Sequence, residues 1–197
     1  MIEIREITAE ISIGLLNLKA FSVQNNLQIK RQQEKAGTRF VLEELLGTPD
    51  FELLYTPENK PFLAGRTDHI SISHSHDKLV IIVNHKQNTG IDIELIRDKV
   101  LKIRHKFTNA NEAAFAGQDI EKLIAVWASK EAMYKCFGLK SLDFKENLSV
   151  EDFDGELILG KIETKDSTKR FELVREKIED YIMVYILKES PPNNYTL

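Results

Sequence analysis

The stretch TGIDIELI, residues 89–96, decides the fold, because its alternation of polar and apolar side chains predicts a β-strand. Side chains two positions apart in a strand point to the same face, so Asp92 and Glu94 project side by side. Two neighbouring carboxylates raise each other's pKa unless a cation lies between them. Their hard oxygen atoms suit Mg²⁺. The alternative is a solvated strand face that carries two acids.

A second pattern, WASKEAMYK at residues 127–135, lies in a segment whose apolar spacing predicts a helix. On that helix Trp127, Glu131 and Lys135 follow at intervals of four residues and share one face. Lys130 is turned away from Glu131 by about 100°. A Glu–Lys pair at this spacing is commonly a surface pair, but a tryptophan on the same stripe indicates partial burial. The motif alone leaves a structural and a functional role open.

Polar side chains also gather at the end of the strand predicted over residues 69–73. Ser73, His74, Ser75 and His76 bring two hydroxyls and two imidazoles together with the backbone N–H groups of a turn. Such a set is a plausible phosphate cradle. A polar turn that simply closes a hairpin is the alternative.

Basic residues are concentrated in two places. Lys30 and Arg31 begin the second predicted helix and Arg39 follows two turns later, while RDKVLKIRHK at residues 97–106 holds one acid, Asp98. In a chain with a net charge of −4, a local basic stripe indicates an anionic partner. A solvated helix face remains the default for any single charge in these stretches.

The remaining patterns place these motifs in an order of strands and helices. Residues 56–68 form a Pro/Gly/Asn loop, long enough to suggest a functional role. We predict strands over residues 2–7, 51–55, 69–73, 78–84, 89–96, 156–163, 169–178 and 181–187. We predict helices over residues 11–21, 27–46, 109–117 and 119–138. This order indicates two α+β halves that meet near Ile96.

Composition excludes several classes of protein. The pI near 5.8 argues against non-specific nucleic-acid binding, which needs a broad basic surface. The single cysteine, Cys136, excludes an internal disulfide and a Cys-based zinc site. The longest apolar runs are far shorter than a membrane span, and MIEIREITAE lacks the apolar core of a signal peptide. We therefore expect a cytoplasmic protein with neither nucleic acid nor membrane as a partner.

Together these motifs resemble those of the 4′-phosphopantetheinyl transferase superfamily. A Lys-Pro pair in a loop, SHS at a strand end, GIDIE after one further strand and WASKEAMYK beyond it follow in the family's order. Residues 90–94 match the G[VI]D[VI]E signature throughout, and residues 127–135 match every specified position of WxxKEAxxK. The resemblance covers residues 59–138, where the loop has NKP in place of the GKP of many members.

The resemblance implies the fold. The family has a half-size, trimeric holo-acyl-carrier-protein-synthase type and a longer, surfactin-synthetase-activating type, and 197 residues favour the longer one. We therefore expect an α+β fold in which two similar halves, residues 1–96 and 97–190, form a pseudodimer with one site between them, followed by a loose tail over residues 191–197. We also expect a monomer.

The resemblance also implies an activity. The 4′-phosphopantetheine group of coenzyme A would be transferred to a serine of an apo acyl or peptidyl carrier protein, releasing 3′,5′-ADP. The implied Mg²⁺ ligands are Asp92, Glu94 and Glu131; Glu131 is also the implied base, and Lys135 the residue that binds the phosphates and assists the leaving group. The implied coenzyme A contacts are Lys30, Arg31, Arg39, Lys60, Ser73, His74, Ser75 and Lys135.

Two other functions share some of these residues. An Mg²⁺-dependent phosphoesterase or nuclease also needs clustered acids with a lysine, and a non-catalytic relative could bind coenzyme A or the carrier without turnover. Carrier proteins of this kind are small acidic helical bundles, so residues 97–106 are the predicted docking stripe, with Lys102 and Arg104 at its centre.

Overall fold

The computed structural model describes residues 2–138 and 142–190, and this part of the chain folds into two antiparallel sheets, a short hairpin and five helices. In chain order the elements are β1 (Ile2–Glu6), β2 (Ile11–Asn17), α1 (Leu18–Gln24), α2 (Lys30–Leu46), β3 (Leu53–Tyr55), β4 (Pro61–Leu63), β5 (His69–Ser75), β6 (Lys78–Asn84), β7 (Ile91–Leu95), α3 (Lys99–Ile103), a 3₁₀ turn (Arg104–Lys106), α4 (Ala110–Ala116), α5 (Ile120–Phe137), β8 (Leu148–Asp154), β9 (Leu157–Glu163), β10 (Thr168–Ile178) and β11 (Tyr181–Ser190). Within this part of the chain, no helix is long and apolar enough to span a membrane.

The elements stack in four layers, which makes the fold α+β as expected. The first sheet has the strand order β1-β2-β6-β5 and carries α2 on its outer face. The second sheet has the order β7-β11-β10-β9-β8 and carries α5 on its outer face. The inner faces of the two sheets meet in a core that includes Ile13, Ile82, Ile93 and Met183. The first half of the chain supplies one sheet and α2, and the second half supplies α5 and four of the five strands of the other sheet.

Strand β7 lies where the two halves meet. It pairs antiparallel with β11 of the second sheet, although the expected division after residue 96 assigns it to the first half. The reason is that β7 uses its backbone for β11 while its apolar side chains, Ile91 and Ile93, enter the core shared with the first sheet. The division into two domains stays a prediction, and the tail over residues 191–197 lies outside the described residues.

The helix predicted over residues 11–21 is wrong: the structure has strand β2 followed by helix α1. Strand β2 lies between β1 and β6 and is covered on both faces: Ile11, Ile13 and Leu15 enter the core between the two sheets, and Leu16 enters the core on the α2 side. A short segment with apolar residues on both faces is ambiguous between strand and helix when periodicity is the only evidence. The change to helix comes at Asn17, whose side chain accepts a hydrogen bond from Ala20 N at 2.9 Å.

Helix α2 begins at Lys30, three residues after its predicted start, and has no side-chain cap, whereas α4 and α5 begin after the capping residues that the sequence indicates. Asp119 caps α5, and Gly138 ends it with a φ of 75°. Asn109 and Glu112 form a capping box at α4, as their spacing predicts. Besides β2, two strands are absent from the sequence prediction: β4, within the segment predicted as a loop, and β8, which forms the edge of the second sheet.

Candidate active site

The two carboxylates of β7 face helix α5. Asp92 is 3% exposed, and its Oδ1 accepts hydrogen bonds from Ser73 Oγ and Lys135 Nζ, both at 2.7 Å. Its Oδ2 is buried and has no hydrogen-bond partner within the described part of the chain. A buried carboxylate oxygen without a partner is costly, so Oδ2 is the position where a further cation or proton would be stabilised. A solvated strand face, the alternative above, is wrong for Asp92.

Glu94 is held from two sides. Its Oε1 accepts the indole N–H of Trp127 at 3.0 Å, and its Oε2 accepts the hydroxyl of Ser75 at 3.2 Å. Burial raises the pKa of Glu94, and the Asp92 carboxylate raises it further. The position of Trp127 on the α5 stripe predicted only partial burial. In the structure its indole N–H also binds a carboxylate of the site.

Glu131 is the third acid of the site and reaches it from α5. Burial raises the pKa of its carboxyl to about 7, with Asp92 and Glu94 adding repulsion and Lys135 opposing the rise. A carboxyl that changes charge near neutral pH is suited to accept and release a proton. The strand pair and the helix stripe thus lie close enough for their charges to interact.

The donor chemistry of these acids fits a hard divalent cation, but their present arrangement is not a ready-made metal cluster. No group of three acidic, histidine or cysteine side chains within residues 2–138 and 142–190 could hold a metal ion as placed. Other groups engage oxygens of two of these acids: the Lys135 ammonium binds Asp92, and Trp127 and Ser75 bind Glu94. The unpartnered Asp92 Oδ2 and the raised pKa of Glu131 favour a cation at this position.

Three serines at alternate positions of β5 join this strand to β7. The hydroxyls of Ser71, Ser73 and Ser75 accept hydrogen bonds from the backbone N–H groups of residues 91, 93 and 95, at 3.2, 3.4 and 3.3 Å. The serine hydroxyls thus accept the N–H groups of β7 that the carbonyl groups of a neighbouring strand would accept in an ordinary sheet. The hydroxyls of Ser73 and Ser75 in the predicted phosphate cradle are thus already engaged, while His74 and His76 are exposed; His74 Nδ1 lies 3.5 Å from a Glu34 carboxylate oxygen.

Lys60 closes the opposite end of the site. Its Nζ donates to the carbonyl oxygen of Cys136 at 2.9 Å and lies 3.4 Å from Asn88 Oδ1, and burial lowers its pKa. It lines a cavity of about 130 Å³ together with Tyr134 and Lys135. Lys60 thereby connects the 56–68 loop to the end of the helix that carries Glu131.

The family comparison falls on the same part of the molecule. A model of the 4′-phosphopantetheinyl transferase superfamily matches residues 88–186, about half of the chain. The chain belongs to this superfamily. No curated protein matches the chain. The segment that matches the superfamily contains β7 and α5 and hence the three acids and Lys135, whereas Lys60 and the serines of β5 precede it.

Of the three basic residues of α2 that the superfamily resemblance implies as coenzyme A contacts, two lie together. Lys30 and Arg31 are exposed at the first turn of α2, where no acid balances the positive end of the helix dipole. Lys30 is 3.6 Å from Glu34, which also faces His74. Arg39 is bound elsewhere, to Glu43 at 2.9 Å and to the Pro49 carbonyl oxygen at 2.8 Å. The structure does not bring Arg39 to the first turn of α2.

The predicted docking stripe divides into exposed and engaged residues. Lys99, Lys102 and Lys106 are exposed on α3 and the following turn. Arg104 instead donates to the Gly117 carbonyl oxygen at 2.5 Å, so it joins the turn to the end of α4. Arg97 Nη1 lies 3.3 Å from His76 Nε2, beyond the end of β7. Arg104, at the centre of the predicted stripe, therefore stabilises the fold locally, which its charge alone did not indicate.

Sequence reasoning missed two features of the site. Ser71 repeats the bond that Ser73 and Ser75 make, and the alternation of serines in HISISHS was the available signal. Lys130, turned away from Glu131, is completely buried against Glu112, and no local pattern indicates that pair.

Proposed function

We propose that this protein transfers the 4′-phosphopantetheine group of coenzyme A to a serine hydroxyl of an apo acyl or peptidyl carrier protein, with 3′,5′-ADP as the leaving group. The observation that carries the proposal is the convergence of Asp92, Glu94, Glu131 and Lys135 between β7 and α5, in a member of the phosphopantetheinyl transferase superfamily. These residue types suit phosphoryl transfer, in which charge must be stabilised and one proton moved.

The residues divide the chemistry between them. The Glu131 carboxylate, with a pKa of about 7, accepts the proton of the carrier serine as its oxygen attacks the β-phosphorus of coenzyme A. The bond from that phosphorus to the oxygen of 3′,5′-ADP breaks. The Lys135 ammonium binds the phosphates and stabilises the negative charge that develops on the leaving group.

Asp92, Glu94 and Glu131 are the residues that would hold Mg²⁺. When bound, Mg²⁺ neutralises charge on the pyrophosphate and aligns it for in-line attack. In the present arrangement the Lys135 ammonium neutralises Asp92, at 2.7 Å, and thereby tempers the repulsion among the acids. Lys135 then has two roles in this proposal, one before substrate binds and one during transfer.

The positively charged groups around the acids suit the phosphates of coenzyme A. Lys60 and Lys135 line one cavity, and His74 lies exposed beside the start of α2. Lys30 and Arg31 add charge to the positive end of that helix, which suits the 3′-phosphate. Ser73 and Ser75 act in this proposal by fixing the two acids of β7, and Arg39 by anchoring α2 to the segment after it.

We further propose the surfactin-synthetase-activating type of architecture, with halves 1–96 and 97–190 and a single site in a cytoplasmic monomer. The support is that each half supplies one long helix and most or all strands of one sheet, and that Trp127 and Lys135 of the second half bind Glu94 and Asp92 of the first. Gel filtration with light scattering tests the monomer.

The decisive experiment is mass spectrometry of apo carrier proteins after incubation with coenzyme A and Mg²⁺. We expect the phosphopantetheine mass increase with the wild-type protein, its loss in Asp92→Asn and Glu131→Gln, and its retention in Glu121→Gln, an exposed carboxylate at the start of the same helix. Coenzyme A cleavage without any carrier would support the phosphoesterase alternative. Coenzyme A binding without turnover in every assay would support the non-catalytic one.

Lys135→Ala separates binding from chemistry. Because its charge matters most as the leaving phosphate gains negative charge, we expect kcat and kcat/KM to fall together, by about 100-fold or more. Steady-state kinetics with saturating carrier measure both. An effect confined to the KM for coenzyme A would make Lys135 a binding residue only.

A further inference from the structure

Lys130, next to Glu131 on α5, is completely buried and forms an ion pair with a completely buried Glu112 at 2.7 Å. Its ammonium also donates to the carbonyl oxygens of Phe107 at 2.6 Å and Phe144 at 2.7 Å. A lysine has three donors, and all three are used. Removing such a charge from water is costly, so a residue of this kind needs a role beyond filling the core.

Both carboxylate oxygens of Glu112 also accept hydrogen bonds. Its Oε1 accepts from Val150 N at 2.8 Å, and its Oε2 accepts from Asn109 N at 2.8 Å in addition to Lys130. The pair therefore ties the middle of α5 to the start of α4, to strand β8 and to the segments around residues 107 and 144. No other charged group is needed to satisfy it.

The two backbone carbonyl groups that Lys130 binds belong to Phe107 and Phe144, and the rings of these two residues pack on either side of Trp127. The Phe107 ring meets the indole edge-on at a centroid distance of 5.1 Å, and the Phe144 ring stacks on it at 5.3 Å with 26° between the planes. The indole N–H donates to Glu94 Oε1 at 3.0 Å. A continuous set of contacts thus leads from the buried ion pair to a carboxylate of the site.

We propose that the Lys130–Glu112 pair is a positioning unit: by fixing the backbone at Phe107 and Phe144 it clamps the Trp127 indole and so sets the orientation of the Glu94 carboxylate. The consequence for the reaction rests on the proposed function, in which Glu94 holds Mg²⁺. Groups that orient a ligating carboxylate typically change metal affinity or activity by about 10–100-fold when they are removed.

The test uses Trp127 itself, because it is the only tryptophan in the chain. Two variants perturb the clamp at different points. Glu112→Gln removes the charge of the anchor with little change of size, and Phe144→Leu removes the stacked ring but keeps the carbonyl group that Lys130 binds. Phe40→Leu is the matched control, because Phe40 stacks on Phe21 at 5.2 Å and 24° in the first half of the chain.

We expect acrylamide to quench Trp127 fluorescence more strongly in Glu112→Gln and Phe144→Leu than in wild type or Phe40→Leu. Titration with Mg²⁺ alone, followed by the same fluorescence, should need about 10–100-fold more metal in these two variants. In transfer assays the Mg²⁺ requirement should rise by the same factor while the KM for coenzyme A stays unchanged. Glu94→Gln should shift the Trp127 emission in the absence of metal.

The proposal would be overturned if Glu112→Gln lost thermal stability but kept wild-type quenching and Mg²⁺ response, since the pair would then be structural only. Unchanged quenching in a folded Phe144→Leu would overturn the clamp. If the wild-type protein neither responded to Mg²⁺ nor transferred the group, the proposed function would fail. The quenching series and the Glu94→Gln emission would still decide whether the pair positions Trp127 against Glu94.

Discussion

At the scale of single residues, the Glu131 carboxyl carries the clearest electrostatic consequence. Its pKa in the folded protein is about 7, against an ordinary value of 4.5, because burial and the acids of β7 disfavour its charge. The folded protein therefore binds this proton to higher pH than the unfolded chain does. By linkage, this contribution to the free energy of unfolding is favourable at acidic pH and is lost as pH rises from about 4.5 to above 7.

Glu131→Gln should therefore stabilise the metal-free protein at pH 8, by about 1–3 kcal/mol, and leave its stability at pH 4 nearly unchanged. Urea unfolding in the presence of a chelator measures both values. Adding Mg²⁺ should raise the midpoint of wild type more than that of the variant. An equal stability difference at both pH values would contradict the raised pKa.

Gly138 ends α5 in the left-handed region, with a φ of 75°, and the Lys60 side chain passes directly over it. A Cβ added at Gly138 would lie 2.7 Å from Lys60 Cδ, whereas a Cβ at Gly47, which ends α2 with a φ of 64°, would meet nothing within 4 Å. Both glycines thus share the conformational requirement, and only Gly138 has the close contact.

We expect Gly138→Ala and Gly47→Ala each to lose about 1–2 kcal/mol of stability, because alanine is strained at positive φ. Only Gly138→Ala should also weaken coenzyme A binding, since it displaces the Lys60 ammonium from Cys136. Chemical denaturation and isothermal titration with coenzyme A measure the two effects. Equal coenzyme A affinity in both variants would show that Lys60 is not placed by this contact.

At the scale of elements, the site depends on how closely β7 approaches α5. Gly90, just before the strand, allows this approach: a Cβ there would lie 1.9 Å from the carbonyl oxygen of Ala132 in the middle of the helix. At Gly160 of β9 an added Cβ would meet the Met133 Sδ at 2.7 Å, and a methionine side chain can move. Gly90, the glycine of the GIDIE signature, is therefore required because any side chain there would collide with the backbone of α5.

Gly90→Ala should cost about 3 kcal/mol or more, because strand or helix must shift as a whole. Gly160→Ala, the control, should cost about 1 kcal/mol, since flexible side chains can adjust. Urea unfolding measures the stability of both variants. Transfer activity of the folded Gly90→Ala protein should fall, because a shift of the strand or the helix moves Asp92 away from Lys135. Similar stabilities for the two variants would contradict a rigid contact at Gly90.

At the scale of the whole molecule, the net charge of −4 would oppose association with the acidic carrier of the proposed function, so docking would require a local basic surface. The exposed lysines of α3 and the following turn supply one, directly after β7. Arg104 is not part of this surface, because it is bonded to Gly117. Charge complementarity of this kind acts mainly on the rate of encounter.

Reversing Lys102 and Lys106 to Glu should therefore slow transfer to the carrier, most strongly at low salt, without changing coenzyme A affinity. Reversing Lys86 and Lys165, which are also exposed, is the control with the same change of net charge. Carrier kinetics across a salt series measure the effect. A similar loss in both double variants would show that only net charge matters.

The sequence by itself determined those parts of the molecule that depend on neighbours in the chain. Alternation in residues 89–96 predicted which side chains of β7 enter the core and which form the acid pair. The caps at Asn109 and Asp119 and the stop at Gly138 follow from backbone chemistry within a few residues. The face shared by Trp127, Glu131 and Lys135 follows from the helix period alone.

Only the tertiary structure decided what depends on partners far along the chain. Residues 11–17 form a strand because β1 and β6 lie on either side, and the serines of β5 bond to β7 because the two sheets meet there. Lys130 is stable inside the core only because Glu112 and two carbonyl groups surround it. Periodicity records the burial of a face, but the identity of the group that covers it is set by packing and hydrogen bonding between distant segments.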